Sequence, residues 1–135
     1  MVTPRLEHIG IPVRDLERSK RFYCDLLGFR PFYEMVPNVP YYSRFLFVEK
    51  DSLRIELQEM RGDQWAPTPT GRVTGLFHLS FAVDDLDEAV KRWSDAGLTL
   101  MVPPMLPGLM IDSEEHWRRA VFEGPDGEKI ELRGP

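Results

Sequence analysis

Apolar and polar residues alternate over residues 6 to 13, which predicts a strand with two different faces. Branched side chains form one face: Ile9, Ile11, Val13. The other face carries His8 next to small or cyclic residues. A stretch with helical spacing follows, which Asp15 can cap and Gly28 can end. Its apolar positions form one stripe: Leu16, Phe22, Tyr23, Leu26, Leu27.

The same pattern returns later in the chain. The stretch from His78 alternates again, with His78 and Ser80 facing away from the bulky side chains. Asp85 can cap the next helix, and Glu88, three residues further on, makes a variant of the capping box. The helical stripe ends at Gly97 and has five apolar positions: Leu86, Ala89, Val90, Trp93, Ala96. Strand and helix therefore repeat with the same phase of their faces.

Each helix is followed by three stretches of strand character, so each half of the chain has the order β-α-β-β-β. The predicted strands are 29–35, 42–48, 53–58, 99–102, 119–122 and 129–132. A Gly-Pro-Asp-Gly turn at 124–127 is a strong signal for the last hairpin. Residues 60–75 and 103–117 fit no element, and we expect them to be long loops that cover a site or an interface.

The two halves are copies of one module. His, Val, Asp and Leu recur in the same register in residues 8–19 and 78–89, and Ile-Glu-Leu recurs around Glu56 and Glu131. The offsets are 78 − 8 = 70 and 131 − 56 = 75, as expected of a duplication with a few inserted residues. We therefore expect one α+β domain over residues 1–135, built from two βαβββ modules at about 5–60 and 75–133.

The composition excludes several classes of protein. Hydrophobic residues make up 42% and charged residues 29% of the chain, which is typical of a folded, water-soluble domain. A net charge of −5 and scattered basic residues argue against nucleic-acid binding. No apolar run could cross a bilayer and no secretory signal is recognisable, so we expect a cytoplasmic protein without a membrane partner. The single Cys24 is expected to be a packing residue.

One His and one Glu recur in each module. His8 and His78 lie on the strand face opposite the bulky side chains, and alternation places Glu56 and Glu131 opposite their apolar neighbours. If a pseudo-twofold axis relates the modules, two imidazoles and two carboxylates converge. Such a set suits a divalent ion with room for water, such as Ni, Co, Mn, Fe(II) or Zn. The simpler alternative is that all four are solvated residues of half-exposed sheets.

Four motifs resemble those of the vicinal oxygen chelate superfamily, the glyoxalase/bleomycin-resistance/extradiol-dioxygenase group. They lie at residues 7–16, 22–29, 78–83 and 122–132, so the resemblance covers essentially the whole chain. It implies paired βαβββ modules that form a cupped mixed sheet with helices on the outer face, a small-molecule substrate and a homodimer. The metal positions of the family carry over residue by residue: His8, Glu56, His78, Glu131.

Four protein ligands place the chain nearer to the glyoxalase I and methylmalonyl-CoA epimerase-like branch. The resemblance therefore implies a divalent-metal-dependent isomerase or lyase, in which Glu56 or Glu131 moves a proton next to a carbonyl of a small substrate. Two departures argue against glutathione and coenzyme A substrates. Bacterial glyoxalase I usually continues its first Glu-Leu with a Thr-x-Asn stretch near the glutathione site, whereas here Gln58 begins a stretch without that pattern. A coenzyme A epimerase is expected to have Gln at the position of Glu56.

The end of the second long loop contains candidate substrate-binding residues. Arg118 or Arg119 could hold a substrate carboxylate, and His116 could act as an acid or base. The alternative is a solvated charged loop in which Trp117 closes the core.

Two other functions remain open. An Fe(II) dioxygenase would find the fourth protein ligand a handicap, because that ligand occupies a position that oxygen or a bidentate substrate needs. A non-catalytic protein of the same fold would sequester a planar compound, for example a drug, with its aromatic side chains. The candidates for that role are Tyr41, Tyr42, Phe45, Trp65 and Trp117.

Overall fold

The structure is a computed structural model that describes residues 5–38, 40, 42–62, 78–106 and 116–135. The chain divides into two compact units, Met1–Pro67 and Thr68–Pro135, which correspond to the two predicted modules. Tyr41, Trp65 and most of the two predicted loops lie outside the described residues. None of the described helices is long and apolar enough to span a membrane.

The first module is a four-stranded mixed sheet with a helix on one face. Its elements are β1 (Ile9–Val13), α1 (Leu16–Lys20) continued by a π-helical segment (Arg21–Leu26), β2 (Arg30–Met35), β3 (Tyr42–Lys50) and β4 (Leu53–Met60). The strand order is β1-β4-β3-β2, in which β1 is parallel to β4 and the other neighbours are antiparallel. The parallel pair is possible because the helical crossover lies between β1 and the later strands.

The second module repeats this topology. Its elements are β5 (His78–Ala82), α2 (Leu86–Asp95), β6 (Thr99–Met105), β7 (Arg118–Glu123) and β8 (Lys129–Gly134). The strand order is β5-β8-β7-β6, again with the first and last strands of the module parallel. The prediction of two βαβββ modules in an α+β fold is confirmed.

The helices begin and end at the residues that the sequence predicts. The Asp15 side chain accepts a hydrogen bond from the Arg18 backbone N–H at 3.0 Å, and Asp85 accepts one from Glu88 at 2.9 Å. Gly28 and Gly97 adopt φ of 78° and 89°, the left-handed conformation that ends a helix at low cost with glycine.

The first helix differs from the prediction in its second half, which is π-helical. The Leu27 N–H donates to the Phe22 carbonyl at 3.1 Å, five residues back. Phe22 and Leu27 at the two ends of this wider turn are both buried.

The apolar core of each module lies between its helix and the adjoining sheet face. Tyr23 contacts Phe29 in the first module with ring centroids 5.9 Å apart, and Trp93 contacts Phe122 in the second at 5.2 Å. Strand residues with no exposed surface complete the two cores: Val48, Ile55, Leu57, Phe122, Ile130, Leu132.

Several strand boundaries differ from the prediction by one to three residues. β1 begins at Ile9, three residues later than the alternation suggested, and β4 extends to Met60. β6 runs through Pro103 and Pro104 to Met105, where a loop was predicted. Proline is compatible with a strand here because β6 is an edge strand with register shifts, so the missing N–H groups break few ladder bonds.

Candidate functional site

Two glutamates occupy matching, buried positions in the modules. Glu56 lies in the middle of β4 opposite Gly10 of β1, and Glu131 lies in β8 opposite Ser80 of β5. The side chains of Glu56 and Glu131 are 11% and 12% exposed. A buried carboxylate is costly unless it is hydrogen-bonded or paired. The interpretation of these residues as solvated groups therefore fails for both glutamates.

His8 stands next to Glu56 at the start of β1. Its Nδ1 donates a hydrogen bond to the Glu7 carboxylate, and its Nε2 lies 3.6 Å from Oε2 of Glu56. The hydrogen bond from the ring to Glu7 raises the pKa of His8, burial acts against this, and the nearby Glu56 charge adds to it. Nε2 is thus directed to the buried carboxylate, while Glu7 fixes the ring orientation.

Gln58 supplies the hydrogen bond that Glu56 needs. Its Nε2 donates to Oε1 of Glu56 from two residues further along the same strand face. The Gln58 amide lies across Gly10, where a Cβ would come within 3.1 Å of Nε2. Glycine at position 10 therefore leaves the space through which Gln58 reaches Glu56.

The second module satisfies its glutamate differently. The Ser80 hydroxyl donates to Oε1 of Glu131 at 3.0 Å, and Nη1 of Arg119 lies 3.6 Å from Oε2. His78 begins β5 two residues before Ser80, as His8 stands two residues before Gly10. The side chain of His78 is exposed.

The spacing of the His8–Glu56 pair fits two ligands of one divalent ion. Two atoms bound to one ion at about 2.0–2.2 Å lie roughly 3 to 3.5 Å apart at tetrahedral or octahedral angles. The 3.6 Å between His8 and Glu56 needs only a small adjustment to match this. A histidine whose other ring nitrogen donates to a carboxylate, as in His8 with Glu7, is the usual arrangement of a metal-binding histidine.

The described residues form two separate pairs. His8 and Glu56 lie close together in the first module, and Glu131 lies on the same sheet face as His78 in the second. No group of three or more His, Cys, Asp or Glu side chains in the described part of the chain is arranged to hold a metal ion. The four-ligand centre therefore remains a prediction.

The predicted substrate-binding residues fall on different sides of β7. Arg118 makes two 3.1 Å hydrogen bonds to Asp87 at the start of α2, so its guanidinium lies on the helix side. Arg119 lies on the opposite face with Glu131. His116 is exposed just before β7, and Trp117 is half-buried beside it.

Four residues of this site were missed as partners by the sequence analysis: Glu7, Gln58, Ser80, Phe47. Phe47 of β3 lies opposite Glu56, with its ring centroid 5.8 Å from the His8 ring. Strand alternation could have assigned Gln58 and Ser80 to the face of the glutamates. Their hydrogen bonds depend on side-chain rotamers that the alternation does not determine.

The comparisons with known proteins define the family. A model of the Glyoxalase/Bleomycin resistance protein/Dioxygenase superfamily matches residues 5–132. The chain therefore belongs to this superfamily.

Among individual relatives, the chain is 28% identical over 130 residues to a probable lactoylglutathione lyase from Synechocystis sp., covering 94% of this chain and 92% of that protein. A glyoxalase family protein from Enterococcus faecalis superposes with a TM-score of 0.80 at 23% identity and 96% coverage of both chains. TnmS3, an antibiotic binding protein from Streptomyces sp. CB03234, superposes with a TM-score of 0.68 at 26% identity, covering 100% of this chain and 98% of that one.

Proposed function

We propose that this protein is a divalent-metal-dependent isomerase or lyase that transfers a proton next to a carbonyl of a small substrate. The observation that carries the proposal is an arrangement that both modules share. A buried glutamate lies opposite a residue of the neighbouring strand, Gly10 or Ser80, and a histidine stands two residues before that residue. The similarity to a probable lactoylglutathione lyase supports the same class of reaction. Under this proposal the two modules form one domain, and the protein is a homodimer.

The proposed ligands are His8, Glu56, His78 and Glu131. A bound divalent ion, such as Ni, Co, Mn, Fe(II) or Zn, would polarise a substrate oxygen and make the neighbouring C–H more acidic. The chain contributes the orientation of the ligands: Glu7 holds the His8 ring, Gln58 holds Glu56, and Ser80 holds Glu131. Prepositioned ligands lower the reorganisation that binding requires.

Glu56 or Glu131 is the proposed base. Each carboxylate is nine-tenths buried, where water competes little for a substrate proton. One oxygen of each accepts a hydrogen bond from a neighbouring side chain, and the other lies 3.6 Å from His8 or Arg119, with a lone pair left to receive the proton. Comparing Glu56→Gln with Glu131→Gln in a proton-exchange assay would identify the base.

Arg119 is the best placed of the three proposed substrate-binding residues. It shares the sheet face of Glu131 and is one-third exposed, so some of its five N–H donors can reach a substrate carboxylate. Arg118 would have to leave Asp87 to do the same. His116 stays a proposed acid or base at the edge of this face.

The decisive experiment is elemental analysis of the purified protein with His8→Ala and Glu131→Ala variants. We expect the wild type to hold divalent metal in stoichiometric amount and each variant to lose most of it, because each loses one of the proposed ligands. Glu88→Gln, at an exposed position of α2, is the control and should retain metal. Equal metal content in all four proteins would refute the proposal.

A second candidate function is sequestration of a planar small molecule without catalysis. The similarity to TnmS3, an antibiotic binding protein, favours it. It predicts that His8→Ala leaves ligand binding unchanged and that the protein exchanges no substrate proton with solvent. Measuring deuterium incorporation into a 2-oxo acid next to its carbonyl separates the two candidates.

A further inference from the structure

Aromatic rings lie beside the candidate ligands on one face of the first module. Phe47 is opposite Glu56 and its ring meets the His8 ring edge-on, with centroids 5.8 Å apart. The rings of Phe32 and Tyr33, on β2, lie 6.0 Å from the Phe47 ring. We call Phe32, Tyr33 and Phe47 the aromatic floor.

The aromatic floor is accessible, unlike the core rings. Phe32 is 38% exposed and Tyr33 55% exposed, whereas Tyr23 and Phe122 have no exposed surface. An open groove of about 920 Å³ has Arg30 and Arg54 in its lining, but none of the three floor rings. The two guanidinium groups lie 5.9 and 5.2 Å from the Phe32 ring centroid. The groove therefore meets the aromatic floor only through these two arginines, and the floor itself is open through the exposed rings of Phe32 and Tyr33.

The second module shows that the fold does not require these rings. Phe47 faces Glu56 across the strands, and at the same register Val121 faces Glu131. Tyr33 faces Phe47, and at the same register Val102 faces Val121. The module with valine at both positions forms the same sheet, so strand stability alone does not explain the rings.

We propose that the aromatic floor binds an aromatic ring of the substrate, so that the substrate class is an aryl-bearing 2-oxo or 2-hydroxy acid. This inference rests on the proposed function for the reaction at the oxo or hydroxy carbon. A planar ring gains both apolar burial and edge or offset stacking on Phe47 and Tyr33. An aliphatic substrate gains only part of this burial.

The test compares binding of phenylpyruvate and pyruvate by isothermal titration calorimetry. The two acids share the oxo and carboxylate groups, so their affinity ratio reports on the ring alone. We expect the wild type to bind phenylpyruvate at least about tenfold more tightly. The double variant Tyr33→Val/Phe47→Val, which installs the residues of the second module, should lower the ratio below about threefold.

Two further variants keep the test decisive. Tyr42→Val removes a ring that packs on Phe45, outside the aromatic floor, and should keep the wild-type ratio. Phe47→Leu replaces one ring with an apolar side chain and should give an intermediate ratio, which covers the case that the double variant does not fold. A wild-type ratio near one, or a ratio that these variants do not change, overturns the inference.

The outcome also separates this inference from the proposed function. A high ratio that depends on the aromatic floor in a protein that binds no metal would uphold the floor and refute the metal-dependent reaction. Bound metal together with an affinity ratio near one would support the proposed function and refute the role of the aromatic floor. If the double variant changes the sedimentation coefficient but not the ratio, the floor is a contact between chains and the inference is wrong.

Discussion

At the scale of residues, the two buried glutamates show what the sequence could and could not predict. Alternation along the strands predicted that Glu56 and Glu131 share a face with the histidines, and the registers opposite Gly10 and Ser80 confirm it. Alternation did not predict that Gln58 supports Glu56, because that bond depends on how a flexible side chain crosses a glycine. The backbone determines the sheet face on which a residue lies, whereas its hydrogen-bond partner depends on the length and rotamer of its side chain.

Ser80→Ala should destabilise the metal-free protein by about 0.5–1.5 kcal/mol, because it removes the hydrogen bond to Oε1 of the buried Glu131 and leaves the Arg119 guanidinium at 3.6 Å from Oε2. Urea denaturation after chelator treatment measures this. The control is Ser94→Ala at an exposed position of α2, which should change the free energy of unfolding by less than about 0.5 kcal/mol. Equal effects of the two substitutions would contradict the assigned role of Ser80.

The surroundings of Glu59 predict that the protein loses stability in acid. Its burial would raise its pKa, but hydrogen bonds from Ser43 and the Leu16 backbone N–H, together with Arg44, hold the pKa below the usual 4.5. A carboxyl whose pKa is lowered on folding stabilises the protein above about pH 4.5 and loses this contribution as the pH falls through its folded pKa.

The measurement is the free energy of unfolding from pH 7 to pH 3 for the wild type and Glu59→Gln. The stability difference between the two proteins should be largest near pH 7 and should shrink as the pH falls below 4.5. A difference that stays constant over this range would show that the Glu59 charge does not contribute.

At the scale of elements, local signals predicted the ends of the helices well. Asp15 and Asp85 cap the helices, and Gly28 and Gly97 end them, because each of these features depends on a few neighbouring residues. The extent of β6 could not be predicted in this way. Its prolines are tolerated only because the strand is at a sheet edge, which is a property of the whole sheet.

Gly97→Ala should cost about 1–2 kcal/mol, because alanine pays a steric penalty at a φ of 89°. Apart from its chain neighbours, no atom of the described residues lies within 4 Å of the added Cβ, so the cost reports on backbone conformation. Gly62→Ala is the matched control, since it also has open space but no positive φ. Thermal unfolding of both variants tests this, and a Gly97→Ala variant as stable as the control would count against the left-handed helix end.

At the scale of the whole molecule, the duplication predicts the topology but not the differences between the copies. The offset changes from 70 to 75 residues along the module, yet Glu56 and Glu131 keep equivalent register. Substitutions distinguish the copies on both sheet faces: Phe47 stands against Val121 on the face of the glutamates, and Val48 stands against Phe122 in the core. The core positions stay apolar in both copies, whereas the other face exchanges an aromatic for an aliphatic side chain next to the glutamate.

A mixing experiment tests whether one chain forms the proposed metal site. His8→Ala and His78→Ala chains, unfolded and refolded together, should bind no more metal than either variant alone, because every site then lacks one ligand. If each site instead takes ligands from two chains, the mixed dimer would bind up to about half of the wild-type amount of metal, because one of its two sites would regain every ligand. Refolded wild type provides the control for metal recovery.

The edge-on contact between His8 and Phe47 also affects magnetic resonance spectra. Circulating π electrons of Phe47 displace the resonances of the His8 ring protons, and the second module has an aliphatic side chain, Val121, at the register of Phe47. The His8 signals should therefore be separable from those of His78 and His116. Titrating them would follow protonation or ligand arrival at one module alone.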